Sequence, residues 1–400
     1  MKTYVRQYAL IAIGLLIGAA APAGAQDSSP ELQSYRMPGW SFTPGFTFGT
    51  IYDSNVALAS APASTGQTQS DGLFEVQPFG RLEFFSPRTE FSTGYQGYLR
   101  RYMDVDQLNG FDNQAYASIR RLVTRRLTFF ARNHYADVPT TDDVELNGVP
   151  FRRIGSRTNG ATAGIEARLT KYTDLSVSYE NTWIKFDRPE VFLTDGWVNG
   201  GHVELSRRLT DRLSLGGEYG VRFANLNEGM HQVWFHDAGG TLHYHFTEGT
   251  TFSLAGGMSY LDDRLLLVTR TGPFVRAGIT HEVERATVGA SFERMFVPSF
   301  SFGGATQSQE IRGFVRMPLD KNRLYVQASA AWRRSDPFIA NELRLDTISV
   351  RSTLGYSAAR WLRLEGFHAF TRQDSIITGG EINRHRVGVQ AVVSQPMRIQ

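Results

Sequence analysis

Apolar and polar residues alternate along this chain in segments of about ten residues, which short polar turns and longer polar connections separate. In the segment 213–223, one set of alternate positions holds Leu215, Tyr219 and Phe223, and the other set includes Arg222. Successive side chains of a β-strand point to opposite sides of the sheet. The pattern therefore predicts strands with one apolar face and one polar face.

The short turns recur roughly every 38 residues, and two predicted strands with a longer connection lie between consecutive turns. This succession of short and long connections is typical of a bacterial outer-membrane barrel, which has short turns at its periplasmic rim and longer loops at its outer rim. The turns lie at 86–89, 123–126, 170–173, 209–212, 247–250, 283–285, 319–322 and 357–360.

The fold class predicted from this pattern is all-β: a transmembrane, antiparallel, up-and-down barrel of about 18 strands, with 16 as the alternative. An even number of strands places both termini at the periplasmic rim. The predicted strands lie near 40–52, 73–85, 89–102, 112–123, 127–136, 158–170, 173–186, 197–208, 212–223, 233–246, 250–260, 271–283, 285–296, 309–319, 323–334, 345–357, 360–371 and 383–394.

The arginines indicate which face meets lipid, because an arginine on the lipid face at the bilayer midplane costs about 2–4 kcal/mol. Arg121 and Arg207 fall in the apolar register, but both lie beside a short turn, where the cost is small. Eleven further strand arginines fall on the polar face, which we therefore expect to line a wet lumen. These lumen-facing candidates are Arg81, Arg100, Arg132, Arg168, Arg222, Arg276, Arg312, Arg316, Arg351, Arg363 and Arg386.

A soluble β-propeller is the main rival fold, since its blades also repeat about every 40 residues. A blade needs four strands of about five to seven residues in that span, whereas this chain has two strands of about twice that length. A soluble sandwich would need helices or partners to cover its apolar faces. Aromatic residues concentrate near strand ends, as they do at the two membrane interfaces of barrels.

The first 25 residues have the features of a cleaved signal peptide. Lys2 and Arg6 form a positive region, an apolar run covers 8–21, and Ala23-Gly24-Ala25 is a small-residue cleavage site. The apolar run is too short for a membrane-spanning helix, although an uncleaved inner-membrane anchor is the alternative. We expect residues 26–39 to be a short periplasmic lead and residues 40–400 to form the barrel in the bacterial cell outer membrane.

The composition narrows the function. The chain has no cysteine, which excludes disulfides, thiolate metal sites and a cysteine nucleophile. The formal net charge of +3 is too small for a nucleic-acid-binding face. Only four of the 42 basic residues are lysines, so nearly all positive charge is carried by arginine, which suits carboxylates and phosphates.

Histidines supply the candidate sites for metal or catalysis. His243 and His245 share a strand face with Asp237, which is a possible metal set, and His202 with Glu204 is a similar polar pair. Such pairs more often line a wet lumen. His134 and His236 are predicted near the outer rim, but no serine is placed beside them by spacing, so we expect no enzyme, metal or cofactor.

The polar face also carries acids, which allows two interpretations of its arginines. An arginine ladder would guide an anionic solute through the pore, whereas cross-strand ion pairs would hold the wall together. Because the acids nearly match the arginines, we expect mostly structural pairing with a mild anion preference. The largest connection, 137–157, either folds inward as a constriction or is an ordinary surface loop. The acids are Glu75, Glu83, Glu166, Glu180, Glu204, Glu218, Asp237, Glu282, Glu293 and Glu365.

Two stretches carry a family resemblance. The opening strand ends in Tyr52-Asp53-Ser54-Asn55, and the closing strand contains the run Arg-His-Arg-Val-Gly-Val at 384–389. Both stretches resemble the outer-membrane β-barrel porin family (β-barrel porin 2-like) that is often encoded with bacterial exopolysaccharide and capsule systems. The chain departs from the usual terminal aromatic residue of barrels, because after Val393 it ends in a polar tail.

The resemblance implies an outer-membrane barrel that helps a polysaccharide to cross. We therefore expect a porin-like conduit, either for export of exopolysaccharide or for passage of polar or anionic solutes. The alternative is a surface polysaccharide-binding or anchoring barrel with a closed lumen. The expected partners are outer-membrane lipid, the barrel assembly machinery and a polysaccharide, and no nucleic acid.

Overall fold

The structure is a computed structural model, and it describes residues 38–58, 69–139, 154–187, 193–283, 285–300, 304–320, 323–338, 344–375 and 380–399. The predicted signal peptide and nearly all of the predicted periplasmic lead lie outside the described residues. Among the described residues, no helix is long and apolar enough to cross a membrane.

The described residues form 18 long antiparallel strands and one short strand, and each long strand pairs with its neighbours in chain order. The strands are β1 (Gly39–Asp53), β2 (Asp71–Phe85), β3 (Thr89–Tyr102), β4 (Gly110–Thr124), β5 (Leu127–Pro139), β6 (Gly155–Arg168), β7 (Thr173–Phe186), β8 (Gly196–Arg208), β9 (Leu213–Leu226), β10 (His231–Thr247), β11 (Thr250–Asp263), β12 (Val268–Val283), β13 (Ala286–Pro298), β14 (Ala305–Asp320), β15 (Leu324–Pro337), β16 (Leu345–Ala359), β17 (Leu362–Ser375), β18 (Gly380–Ser394) and β19 (Met397–Ile399).

The sheet closes on itself because β1 pairs with both β2 and β18. The predicted antiparallel barrel of 18 strands is thus confirmed in the described residues, and the alternative of 16 is wrong.

Several strands extend up to four residues further towards the long connections than predicted: β14, for example, begins at Ala305 instead of 309. In these extensions the backbone pairing between strands continues, although apolar and polar side chains no longer alternate clearly, as in the pairing of Val297 with Thr306.

The outward face of the barrel is apolar. Phe46 and Phe48 on β1 are each 49% exposed and Val389 on β18 is 63% exposed, whereas the intervening Thr47 lines the interior. Trp197, which lies against Phe223 near the loop rim, belongs to an aromatic group of the kind found at membrane interfaces. A closed antiparallel barrel with such a surface spans the bacterial outer membrane.

The Tyr-Asp-Ser-Asn stretch has a structural role at the seam between β1 and β18. Asp53 is fully buried, and its carboxylate accepts hydrogen bonds from Nε and Nη2 of Arg384 at 2.9 and 2.5 Å. The Ser54 backbone N–H donates to the carbonyl of His385, and the Asn55 amide donates to the carbonyl of Asn383. This group, which we call the seam latch, ties the first strand to the last at the loop rim.

The end of the chain closes the seam at the opposite rim. The polar tail after Val393 joins the sheet, because Met397–Ile399 forms a further strand, β19, which pairs with Trp40–Phe42 of β1. Pro396 has no N–H to donate, so it interrupts the ladder between β18 and β19. Beyond this interruption, the chain returns to pairing with β1.

Replacing Asp53 with Ala should destabilise the barrel strongly, because it leaves the Arg384 guanidinium buried without its carboxylate. Loss of one partner of a buried pair costs about 3–5 kcal/mol. The midpoint of denaturant unfolding, followed by the shift in gel migration between folded and unfolded barrel, measures this cost. In the control, Asp187→Ala removes an exposed pair with Arg157 (3.4 Å) and should cost less than about 1 kcal/mol. Equal midpoints for both variants would contradict the latch.

Candidate functional site

The interior of the barrel contains a cavity of about 1100 Å³, lined by inward-pointing side chains of β1–β9 and β13–β18. Alternation places these side chains on the face opposite the lipid-facing residues. Arg333, on the same polar face but outside the predicted set, also lines the cavity. Nine of the eleven predicted lumen arginines, all of them described residues, lie in its wall: Arg81, Arg100, Arg132, Arg222, Arg312, Arg316, Arg351, Arg363 and Arg386.

The other two predicted arginines lie outside the cavity wall. Arg168 is at the end of β6 beside a short turn, and its Nε is 3.5 Å from the carboxylate of Asp174. Arg276 on β12 donates to the carboxylate of Glu218 on β9 at 2.5 Å. The Arg276 side chain thus passes over β10 and β11 to reach Glu218. These two side chains occupy the part of the lumen that the cavity does not include.

Six of the ten cavity arginines form ion pairs with carboxylates among the described residues: Arg100, Arg222, Arg312, Arg333, Arg363 and Arg386. Arg100 donates to Glu75 at 2.7 Å and is also bonded to Asp112, and all but a few per cent of Arg100 and Glu75 is buried. Glu310 accepts from both Arg312 and Arg333, with N–O distances of 2.6 and 2.5 Å. The bonds of Arg100 and Arg333 join neighbouring strands, whereas Arg312 and Glu310 both lie on β14. These charge-assisted bonds leave little free charge at their positions.

Three cavity arginines have no such carboxylate partner in the described ranges. Within the part of the chain that the structure describes, Arg132, Arg316 and Arg351 have no hydrogen bond or ion pair. Three cavity carboxylates, Glu83, Glu180 and Glu293, have none either among the described residues. Glu83 and Glu180 lie on β2 and β7, Glu293 lies on β13 opposite Arg276, and two of the free arginines lie on β14 and β16.

A hairpin narrows the mouth of the barrel. The pairing of β12 with β13 ends at Val275 and Arg294, and above this point β13 turns into the lumen. Nη2 of Arg222 donates to the carbonyl of Phe296 at 2.9 Å and to the carboxylate of Asp237 at 2.8 Å. Arg222 therefore holds the free edge of the hairpin inside the barrel.

An apolar cluster packs this hairpin against the upper parts of β7–β11. Phe296 contacts Phe338 with ring centroids 4.9 Å apart, and the Thr194 backbone N–H donates to the carbonyl of Phe300 at 3.0 Å. The sequence indicates this cluster only through inward positions that become apolar near the loop rim. Its buried members are Ile154, Ile184, Phe186, Val198, Ala224, Leu226, Val233, Phe235, Leu261, Phe296, Phe300 and Ala305.

The position of the inward hairpin differs from the position that the sequence suggested for a constriction. The sequence pointed to the largest connection, 137–157, of which residues 140–153 lie outside the described residues. Among the described residues, the upper parts of β13 and β14 narrow the mouth. The position of the constriction depends on where the β12–β13 ladder ends. The lengths of the connections in the sequence do not indicate that point.

The candidate metal set is not brought together. His243 contacts the carboxylate of Glu204 at 3.2 Å, whereas Asp237 is bonded to Arg222 and to Ser259. In the described ranges, no group of three or more histidine, aspartate or glutamate residues could hold a metal ion. His202, predicted to pair with Glu204, instead contacts Glu218 on the next strand, β9, at 3.2 Å.

The two rim histidines lie on opposite sides of the wall. His134 lines the cavity, whereas Nδ1 of His236 is hydrogen-bonded to the outward-facing hydroxyl of Tyr219 at 2.8 Å. His236 also stacks on Trp234 in the aromatic group of the outer surface. They therefore do not share a catalytic site.

Comparison with known proteins gives structural likeness only. No protein-family description and no curated protein matches the chain. Among solved structures, Acinetobacter baumannii OccAB4 is 9% identical with a TM-score of 0.47, covering 91% of this chain and all of its own. Pseudomonas aeruginosa OpdO is 12% identical (TM-score 0.47; 90% and 98% covered), and P. aeruginosa OpdK, solved with vanillate, is 8% identical (TM-score 0.45; 89% and 99% covered). At these scores, the likeness adds nothing to the barrel already described.

Loosening the inward hairpin should expose its tip. Because the chain has no cysteine, Ser299→Cys introduces a single thiol at a fully buried position. Adding Arg222→Ala removes the donor to Phe296, and we expect a charged maleimide to label the thiol at least about tenfold faster, since a charge-assisted bond contributes about 1.5–3 kcal/mol.

Arg157→Ala in the Ser299→Cys background is the control, because it removes an exposed ion pair on the outer surface. It should leave the labelling rate unchanged. Fast labelling of Ser299→Cys alone, or equal rates in the two double variants, would contradict the assignment of Arg222.

Proposed function

We propose that this chain is a passive channel of the outer membrane for small polar solutes, with a mild preference for anions. The observation that carries the proposal is the charged cavity inside a closed barrel whose outer face is apolar. A lumen lined with ionised side chains stays hydrated, and its unpaired charges select among the ions that enter. Such a conduit needs no cofactor and no catalytic group.

The unpaired groups support the sign of the preference. Arg132, Arg316 and Arg351 have no partner among the described residues, and Glu83 and Glu180 oppose them. Paired charges contribute little at a distance, whereas unpaired charges in a narrow passage concentrate ions of opposite sign. Glu293 also has no ion pair among the described residues, but it lies opposite Arg276 and within the field of further arginines. The three free arginines therefore exceed the two remaining free carboxylates by one, which favours anions only slightly.

The size of the passage favours small solutes over a polymer. The inward hairpin and its apolar cluster occupy the mouth on the side of β8–β13, and the cavity lies along the rest of the wall. Export of an exopolysaccharide, which the resemblance implied, would require this hairpin to move aside. A surface polysaccharide-binding barrel with a closed lumen is the other outcome of the test below.

The purified chain, refolded into planar bilayers, should conduct ions. In a KCl gradient, the sign of its reversal potential should show that anions pass slightly more readily than cations. The triple variant Arg132→Gln, Arg316→Gln, Arg351→Gln should become cation-selective, because Glu83 and Glu180 remain in the wall. Arg168→Gln, at the turn rim, is the matched control and should leave the potential near that of the native chain.

Two results would contradict the proposal. Clear cation selectivity of the native chain would remove the anion preference. Absence of conductance, even after residues 299–304 are replaced by a two-residue turn, would refute the conduit and favour the closed barrel.

A further inference from the structure

Five unused donor groups lie together on the inner wall of β14, β15 and β16. The guanidinium groups of Arg316 and Arg351 and the hydroxyls of Ser329, Ser349 and Thr353 have no hydrogen-bond partner among the described residues. All five share the inward face, and Arg316, Arg351 and Thr353 line the cavity. Ser329 and Arg351 are exposed and the other three are half-buried, so these donors are accessible from the lumen.

The strand register brings the groups close. Ser329 lies opposite Arg351, while Arg316 lies opposite Gln327, which in turn lies opposite Thr353. Two strand spacings across and two residues along place the Cα atoms of Arg316 and Arg351 about 12 Å apart. Two extended arginine side chains can reach one small ligand across this distance.

The surrounding side chains leave room for a ligand. Arg351 faces Ser329 on one neighbouring strand and Ala369 on the other, and both are small. The adjacent carboxylate, Glu365, is already bonded to Arg363 at 2.5 Å, to the Gln390 amide and to Tyr325. The positive charge of the two free arginines is therefore not neutralised locally.

We propose that Arg316 and Arg351, with Ser329 and Thr353, form a binding site for a phosphoryl oxyanion, either inorganic phosphate or a phosphate monoester. Two guanidinium forks offer up to ten N–H donors, and the two hydroxyls add two more. A dianion with three or four acceptor oxygens uses donors that arrive from several directions. A carboxylate has two coplanar oxygens, and a single fork satisfies it.

This proposal deepens the proposed channel function and rests on it for the route by which the anion arrives. Arg316 lies four residues and Arg351 eight residues before the ends of β14 and β16 at the turn rim. The site thus lies on the turn-rim side of the inward hairpin. A solute from either end of the barrel would meet it in the cavity.

Isothermal titration of the full chain in detergent tests the site. The titrants are inorganic phosphate, glycerol 3-phosphate and, as a carboxylate, acetate. We expect phosphate to bind, acetate to bind at least about tenfold more weakly, and Arg316→Gln or Arg351→Gln to raise the phosphate Kd about tenfold or more. Binding of glycerol 3-phosphate as well extends the assignment to monoesters, and binding of phosphate alone assigns the free anion; either supports the site.

Arg132→Gln is the matched control, since it removes an equally unpaired cavity arginine from the opposite wall. It should change the phosphate Kd less than about twofold, because one distant charge in a hydrated lumen is screened. The folded-barrel gel migration must be retained in every variant. If an arginine variant fails to fold, Thr353→Val and Ser329→Ala remove donors without changing charge and should weaken binding several-fold.

Absence of phosphate binding, an equal loss in Arg132→Gln, or acetate binding as tight as phosphate would overturn the site. These failures are separable from failure of the channel. A chain that conducts KCl but ignores phosphate contradicts the site alone, and a chain that binds phosphate without conducting contradicts the conduit alone.

Discussion

A strand that crosses hydrocarbon has no water to satisfy its backbone N–H and C=O groups, so every such group must pair with another strand. In this chain, the requirement is met because β18 returns to β1, so the described strands close into a barrel, and the β12–β13 ladder stops only towards the mouth. The seam joins residues more than 300 positions apart in sequence. The seam latch of Asp53 with Arg384 at one rim and the pairing of β19 with β1 at the other hold these distant segments in register.

Closure decides where charge can lie. The outward positions face lipid and are apolar, so arginines and acids gather on the inner wall, where they are close enough to interact. Most of them pair, as Arg100 does with Glu75, because an unpaired charge in a confined interior is costly. The few that do not pair, such as Arg316 and Arg351, lie on the wall of a hydrated cavity, where they are available to solutes.

The strands could be predicted from the sequence because side chains in a sheet alternate with a period of two, which is a local property. The ion pairs could not, because pairing depends on the register of strands that are distant in sequence. Arg100 and Arg132 look alike in the sequence, yet Arg100 lies opposite Glu75, and Arg132 lies opposite Ser118 and Thr162. The inward hairpin was missed for the same reason, since it depends on where the β12–β13 ladder stops.

The central claim is that lipid surrounds the apolar face of each strand and water fills the enclosure. Single cysteines placed along β15 of this cysteine-free chain, in its native membrane, test it most directly with a charged maleimide. We expect labelling at 327, 329 and 331 and protection at 326, 328 and 330, a period of two along the strand. Uniform labelling, or the inverse alternation, would contradict it.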